Sequence, residues 1–204
     1  MSTTQGPLML FNPMSLLLFL SFYSPIILAT SILSVSFFHE NFKGIIFLAF
    51  LLGACLIRYF FYMYRSPTNE ESNNPLCNSI EFSKYGNSTF SMFVFGFIIA
   101  YLFIPMFINN SINFVLVICL FVYFSFDMFI KITNRCIHSK NEVLVNFLSG
   151  LVASGAIVGC MYAGGSGKYM FFNEIQSNKD VCNMPSKQTF KCQVYKNGEL
   201  IGNV

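Results

Sequence analysis

The feature that most constrains this chain is a series of unbroken apolar blocks, each long enough to cross a hydrocarbon layer as a helix, which takes about 20 residues. Five such blocks run over residues 14–38, 44–64, 90–108, 112–130 and 143–163. The first is uncharged throughout and holds Pro25 near its middle, where a kink is expected. No positive stretch precedes it, so it is expected to be a retained span rather than a cleaved signal. Charged residues make up only 10% of the chain, too few to cover a water-soluble fold of this length. The expected fold class is therefore an all-α integral membrane protein with about five transmembrane helices. Residues 1–163 form the transmembrane helical domain, and residues 164–204 form a water-facing C-terminal tail.

The formal net charge of +3 comes from 12 basic and 9 acidic residues, confined almost wholly to the loops and the tail. No basic stripe exists, which argues against a nucleic-acid partner. Heavy use of Phe, Ile, Asn, Lys and Tyr, with no Trp, is the signature of AT-rich coding. With five crossings the termini fall on opposite sides. Arg65, Lys84, Lys131, Arg135 and Lys140 lie on the N-terminal side, against Lys43, Lys168 and Lys179 on the other. Positive-inside counting then puts the N-terminus in the cytoplasm and the tail across the membrane.

Arg58 and Asp127 are the ionisable charges inside the expected spans. One reading is a buried ion pair or proton relay. The plainer reading outweighs it: Arg58 snorkels to the interface, and Asp127 pairs with Lys131 one turn later, near the membrane surface. In the fifth span Gly155, Gly159 and Ala163 fall at i, i+4 and i+8, stripping one helix face of bulk so that another helix can approach closely. Whether that helix belongs to this chain or to a neighbouring subunit stays open.

None of the seven cysteines has metal or redox spacing. Cys55, Cys119 and Cys160 lie in spans, where an apolar structural role is the default. Cys77 and Cys136 lie in loops on one side, so a bridge between them is open. Cys182 and Cys192 share a tail small enough to need a staple, and a disulfide is expected there. His39 and His138 fall in loops expected on opposite sides, which argues against a shared metal site. Gly164 to Lys168 lacks the spacing of a phosphate loop and reads as an exit linker. The sequons at Asn87 and Asn109 lie in consecutive loops and cannot both be glycosylated in one topology. No catalytic, cofactor or metal constellation is visible, so an enzyme is not expected.

In the tail, Asn197 and Gly198 supply the positive φ angles of a type I′ turn, so residues 187–201 read as a β-hairpin. Lys196 is then opposite Glu199, Tyr195 opposite Leu200, and Val194 opposite Ile201. A lone hairpin is marginal in water, so its apolar face needs a cover. Phe190, Val194, Tyr195 and Ile201 are the candidate partner-binding residues.

The stretch PSKQTFKCQVYKNGELIG, Pro185 to Gly202, following Cys182, resembles the C-terminal signature of multispan membrane proteins encoded by nucleocytoplasmic large DNA viruses. It covers roughly a tenth of the chain. The resemblance implies residence in the lipid membrane beneath an icosahedral capsid, as a minor capsid or membrane-anchoring component; it brings no active-site residues. The expected function is thus a structural protein of a viral internal membrane, inserted in a host endomembrane during assembly. Its partners would be the lipid bilayer and capsid or other virion membrane proteins, with homo- or hetero-oligomers open. A small channel or transporter using Arg58 and Asp127 is the alternative. A membrane redox enzyme is weaker, because paired reactive cysteines at a membrane boundary are not seen.

Overall fold

The computed structural model describes residues 13–65, 77, 86–137, 140–172, 193–196 and 199–203. Its helices are α1 (Pro13–Phe22), α2 (Ser24–Phe38), α3 (Lys43–Arg65), α4 (Phe90–Ile108), α5 (Phe114–Thr133) and α6 (Lys140–Ala163). From α3 to α6 each helix is long and apolar enough to cross a membrane, giving four candidate spans.

The first expected span departs from a kinked rod. It is broken at Tyr23 into α1 and α2, which meet at 75°. Pro25 explains the position: it has no N–H to give to the preceding turn, and its ring would strike the carbonyl four residues back. The helix restarts with Ile26 and Ile27 both donating to the Tyr23 carbonyl. At 10 and 15 residues, α1 and α2 are about 15 and 22 Å long, so neither alone crosses the roughly 30 Å hydrocarbon core. Only the pair taken together makes a fifth span.

Short polar connections turn the chain between spans. Between α2 and α3 the Ser36 hydroxyl donates to the Asn41 side chain at 2.7 Å and accepts from the Gly44 N–H at 2.8 Å. Before α5, the Asn113 side chain caps the helix by accepting from the Leu116 N–H at 3.2 Å.

The middle of the bundle is α4. In its membrane-length stretch 78% of residues are buried, against 33% in α3 and 22% each in α5 and α6. Phe95, Phe97, Ile98, Tyr101 and Met106 of α4 are fully enclosed. Phe47 of α3 meets the Tyr101 ring edge-on at 5.1 Å, and Tyr123 and Phe124 of α5 meet Phe95 at 5.5 and 5.4 Å. The outer faces of α3, α5 and α6 stay apolar and open, as at Ile57, Val115 and Val152. Such a belt is stable against lipid and untenable in water.

The closest helix pair is α4 with α6, and it does not use the expected face. Gly159 has open space where a Cβ would stand, and Gly155 would meet only Ile104 Cδ1 at 3.8 Å. Ala163 is exposed. The backbones meet instead at Gly96 and Gly150: a Cβ on Gly150 would overlap the Phe93 carbonyl oxygen and lie 2.9 Å from the Phe97 nitrogen. The buried face of α6 is therefore Val143, Asn146, Gly150, Ser154 and Val158. Several α6 faces carry small residues, and the one matched by a glycine on the facing helix is the one that packs.

Beyond Ala163 the chain turns back at Gly165, which sits at φ +67°, and a short 3₁₀ turn over Gly167–Tyr169 returns Met170 and Phe171 to the core. Asn109 donates its side-chain N–H to the Phe172 carbonyl at 2.8 Å. The Gly164–Lys168 run is thus an ordered turn rather than a linker. Farther on, the backbones of β1 (Gln193–Lys196) and β2 (Glu199–Asn203) lie antiparallel. Lys196 faces Glu199 and Tyr195 faces Leu200, but a register shift sets Val194 opposite Gly202 in place of Ile201. The turn residues, Cys182, Phe190, Cys192 and the side chains of Val194, Tyr195 and Ile201 lie outside the described residues.

Gly150→Ala is expected to destabilise the bundle by about 1–3 kcal/mol through overpacking, whereas Gly159→Ala leaves it unchanged. Unfolding in detergent micelles compares the two variants, and equal behaviour would contradict this packing.

Candidate functional site: two buried polar clusters

Among the described residues, the buried charged side chains and most of the buried polar ones gather in two places, while Ser154 and the Tyr101 hydroxyl are buried apart from both. The first centres on Asp127 of α5, which is fully buried. Its Oδ1 accepts from Ser21 of α1 at 2.8 Å and from Ser24 of α2 at 3.2 Å. Its Oδ2 accepts from Ser91 of α4 at 2.8 Å and lies 3.5 Å from Lys131 Nζ. Lys131, only 3% exposed, also donates to the Ser91 hydroxyl. The i,i+4 pair therefore forms, and it is enclosed by protein rather than exposed. Above it the Tyr123 hydroxyl donates to the Leu20 carbonyl at 2.7 Å, satisfying one of the carbonyls orphaned at the end of α1.

A bound charge in this medium needs both counter-charge and hydrogen bonds, and Asp127 has both. The cluster borders a cavity of about 10 Å³, whose lining includes Ser91, Lys131 and Cys77. That volume holds about one water molecule.

Next to this cluster the Cys77–Cys136 disulfide joins the α3–α4 connection to the α5–α6 connection, with Cα atoms 5.3 Å apart. Both cysteines are buried, packed with Phe22 and Ile130. This bridge was left open by sequence alone. It closes over the end of the bundle where the ion pair lies.

The second cluster centres on Arg58 of α3, which is 5% exposed and does not snorkel. Its Nε and Nη2 donate to the Asn146 Oδ1 of α6 at 3.1 and 3.0 Å, and Nη2 also donates to the Gly86 carbonyl at 2.8 Å. Asn146 is held in place by its own Nδ2, which donates to the Glu142 carbonyl at 2.9 Å and to the Tyr62 hydroxyl at 2.9 Å. The guanidinium carbon lies 4.6 Å from the Tyr62 ring centre, 5.4 Å from that of Phe90 and 5.6 Å from that of Phe93. Among the described residues Arg58 has no carboxylate partner in ion-pair range. Three π faces and two carbonyl-type oxygens take that role.

Arg58 and Asp127 are thus bound separately, on either side of the adjacent residues Phe90 and Ser91 of α4, and Arg58 Nη1 is buried with no hydrogen-bond partner among the described residues. Ser21, Ser24, Ser91, Tyr62 and Asn146 were not singled out by sequence; their signal was the placement of hydrogen-bonding side chains within or at the edges of apolar blocks. Among the described residues no group of three His, Cys, Asp or Glu side chains could hold a metal ion. His39 sits in the α2–α3 turn, and His138 lies outside the described residues. No protein-family model, no curated protein and no solved structure matches this chain.

Lys131→Met leaves Asp127 buried without its cation and is expected to cost about 3–5 kcal/mol. Adding Asp127→Asn should recover most of that loss, since the serines can serve a neutral amide; unfolding free energies of the three variants in micelles test it. For the second cluster, Arg58→Lys and Asn146→Ala should each destabilise by about 1–3 kcal/mol and the double variant by less than their sum. Strict additivity would show that the two residues do not act together.

Proposed function

We propose that this protein is a structural membrane component: a cross-braced helical anchor that stays in lipid and presents its C-terminal tail for docking to other proteins. The observation that carries this reading is the use of the intramembrane charges. Arg58 and Asp127 are each hydrogen-bonded by partners from other helices, and the described cavity beside Asp127 has room for about one water. Polar groups spent in this way hold helices together. A bundle so braced suits attachment more than transport. The resemblance of Pro185–Gly202 to viral multispan proteins supports a more specific assignment, the internal membrane of a large DNA virus particle, with capsid or other virion membrane proteins as partners. In that role Phe190, Val194, Tyr195 and Ile201 supply the contact, by an apolar face or by adding a strand to a partner sheet.

One observation favours the second reading, a small transporter. The break between α1 and α2 lies beside a buried carboxylate, and helices interrupted at such groups build ion sites in known transporter architectures. In that case Asp127 would carry the coupling ion or proton.

Two measurements separate these readings. The structural reading expects the protein to remain with shell components when particles or host membranes are extracted with detergent, and expects sealed liposomes containing it to show no flux under proton or sodium gradients. Gradient-driven flux abolished by Asp127→Asn would replace the structural reading with the transporter. Complete release from shell components on extraction would remove the docking role.

A further inference from the structure

The disulfide bears on a question that charge counting answers poorly, namely which end of the bundle meets which compartment. Cys77 lies between α3 and α4, and Cys136 between α5 and α6, so the bridge fixes both connections at one end. From that end α6 runs 24 residues, about 36 Å, to Ala163 at the other. Residues 173–204 contain no further apolar block that could bring the chain back across. Cys136 and Cys182 therefore lie on opposite faces of the membrane, whatever the path of α1 and α2.

Disulfides persist in oxidising compartments and are rare where thiol reductants are abundant. The Cys77–Cys136 bridge and the expected Cys182–Cys192 bridge thus compete for one oxidising face. The first is present in the structure, and Cys182 and Cys192 lie outside the described residues.

Positive-inside counting favoured the opposite arrangement by five basic residues to three, but one of the five does not count. Lys131 is buried and paired with Asp127 inside the bundle, so it is not a loop charge. Arg65, Lys84, Arg135 and Lys140 then stand against Lys43, Lys168 and Lys179. That difference is too small to set orientation against a covalent marker.

We propose that the bridged end of the bundle faces an oxidising lumen or exterior and that the tail faces the reducing cytosol, with Cys182 and Cys192 as free thiols. Forming the bridge removes two protons and two electrons from the Cys77 and Cys136 thiols. A disulfide-carrying oxidoreductase of that compartment accepts them by exchange, its own disulfide becoming a dithiol. The inference rests on the membrane reading of the helices and not on the viral one. It reverses the sidedness expected from charge and assigns the tail's partner to the cytosolic side.

The test uses the full chain in sealed, cytosol-side-out microsomes, probed with a membrane-impermeant maleimide bearing a polyethylene glycol chain. Without reductant, intact vesicles should show two additions, both lost in Cys182→Ser/Cys192→Ser. Cys77 and Cys136 should react only after detergent and reductant together. Trypsin on intact vesicles should remove the tail at Lys179 or Lys187. A tail protected from trypsin until detergent is added would overturn the assignment. So would tail thiols that stay blocked until reductant is present, or Cys77 and Cys136 reacting in intact, unreduced vesicles.

Discussion

An ionised carboxylate surrounded by hydrocarbon survives only where donors enclose it, because no water can replace a missing one. Asp127 meets that condition with three serine hydroxyls and one ammonium, contributed by α1, α2, α4 and its own helix. Each donor fixes a helix. The 75° break follows the same logic: α1 leans on α5 while α2 lies along α3, and a straight helix could not serve both. Pro25 makes the break cheap, and Tyr123 takes up a carbonyl that the break leaves open. The least typical feature of the backbone and the most costly side chain thus explain one another.

Arg58 is the complementary case. A guanidinium with no carboxylate in range among the described residues would be unstable in lipid if it stood alone. Here it lies among aromatic rings and shares one amide oxygen through two of its nitrogens, a geometry that Lys could not copy. The amide comes from α6, which also meets α4 at Gly96 and Gly150. The polar contact and the close backbone approach therefore secure the same helix by different means, one directional and one steric.

Block length is a local property, and it was legible. The expected spans 44–64, 90–108, 112–130 and 143–163 correspond to helices Lys43–Arg65, Phe90–Ile108, Phe114–Thr133 and Lys140–Ala163. What could not be read were choices made between helices. Gly155 and Gly159 have the right spacing, but the facing glycine, Gly96, selects Gly150. Arg58 has the chemistry to snorkel, yet Asn146, 88 residues away, holds it inside. Cys77 and Cys136 are 59 residues apart with no motif spacing, and only the folded connections bring them together. Asp127 and Lys131 could be paired from sequence because their contact lies within one turn. Their burial could not, since it depends on Ser21, Ser24 and Ser91 arriving from elsewhere.

The two ends of the bundle are built differently, and the difference has consequences for attachment. The end with Cys77–Cys136 holds the covalent bridge and lies toward both polar clusters, so directional bonds lock its helices. The other end relies on apolar packing: Met170 and Phe171 fold back into the core, and an apolar groove of about 470 Å³ opens between Ile46 and Phe50 of α3 and Ile157 and Met161 of α6. Dispersion contacts are less directional than hydrogen bonds, so α3 and α6 can adjust there without breaking either cluster. That is the end from which the tail leaves. A load applied to the tail would reach α6 first, and α6 is held to α4 along its glycine face and to α3 through Asn146. Strain is then carried into the bundle's middle, while the outer faces that meet lipid keep their apolar surface.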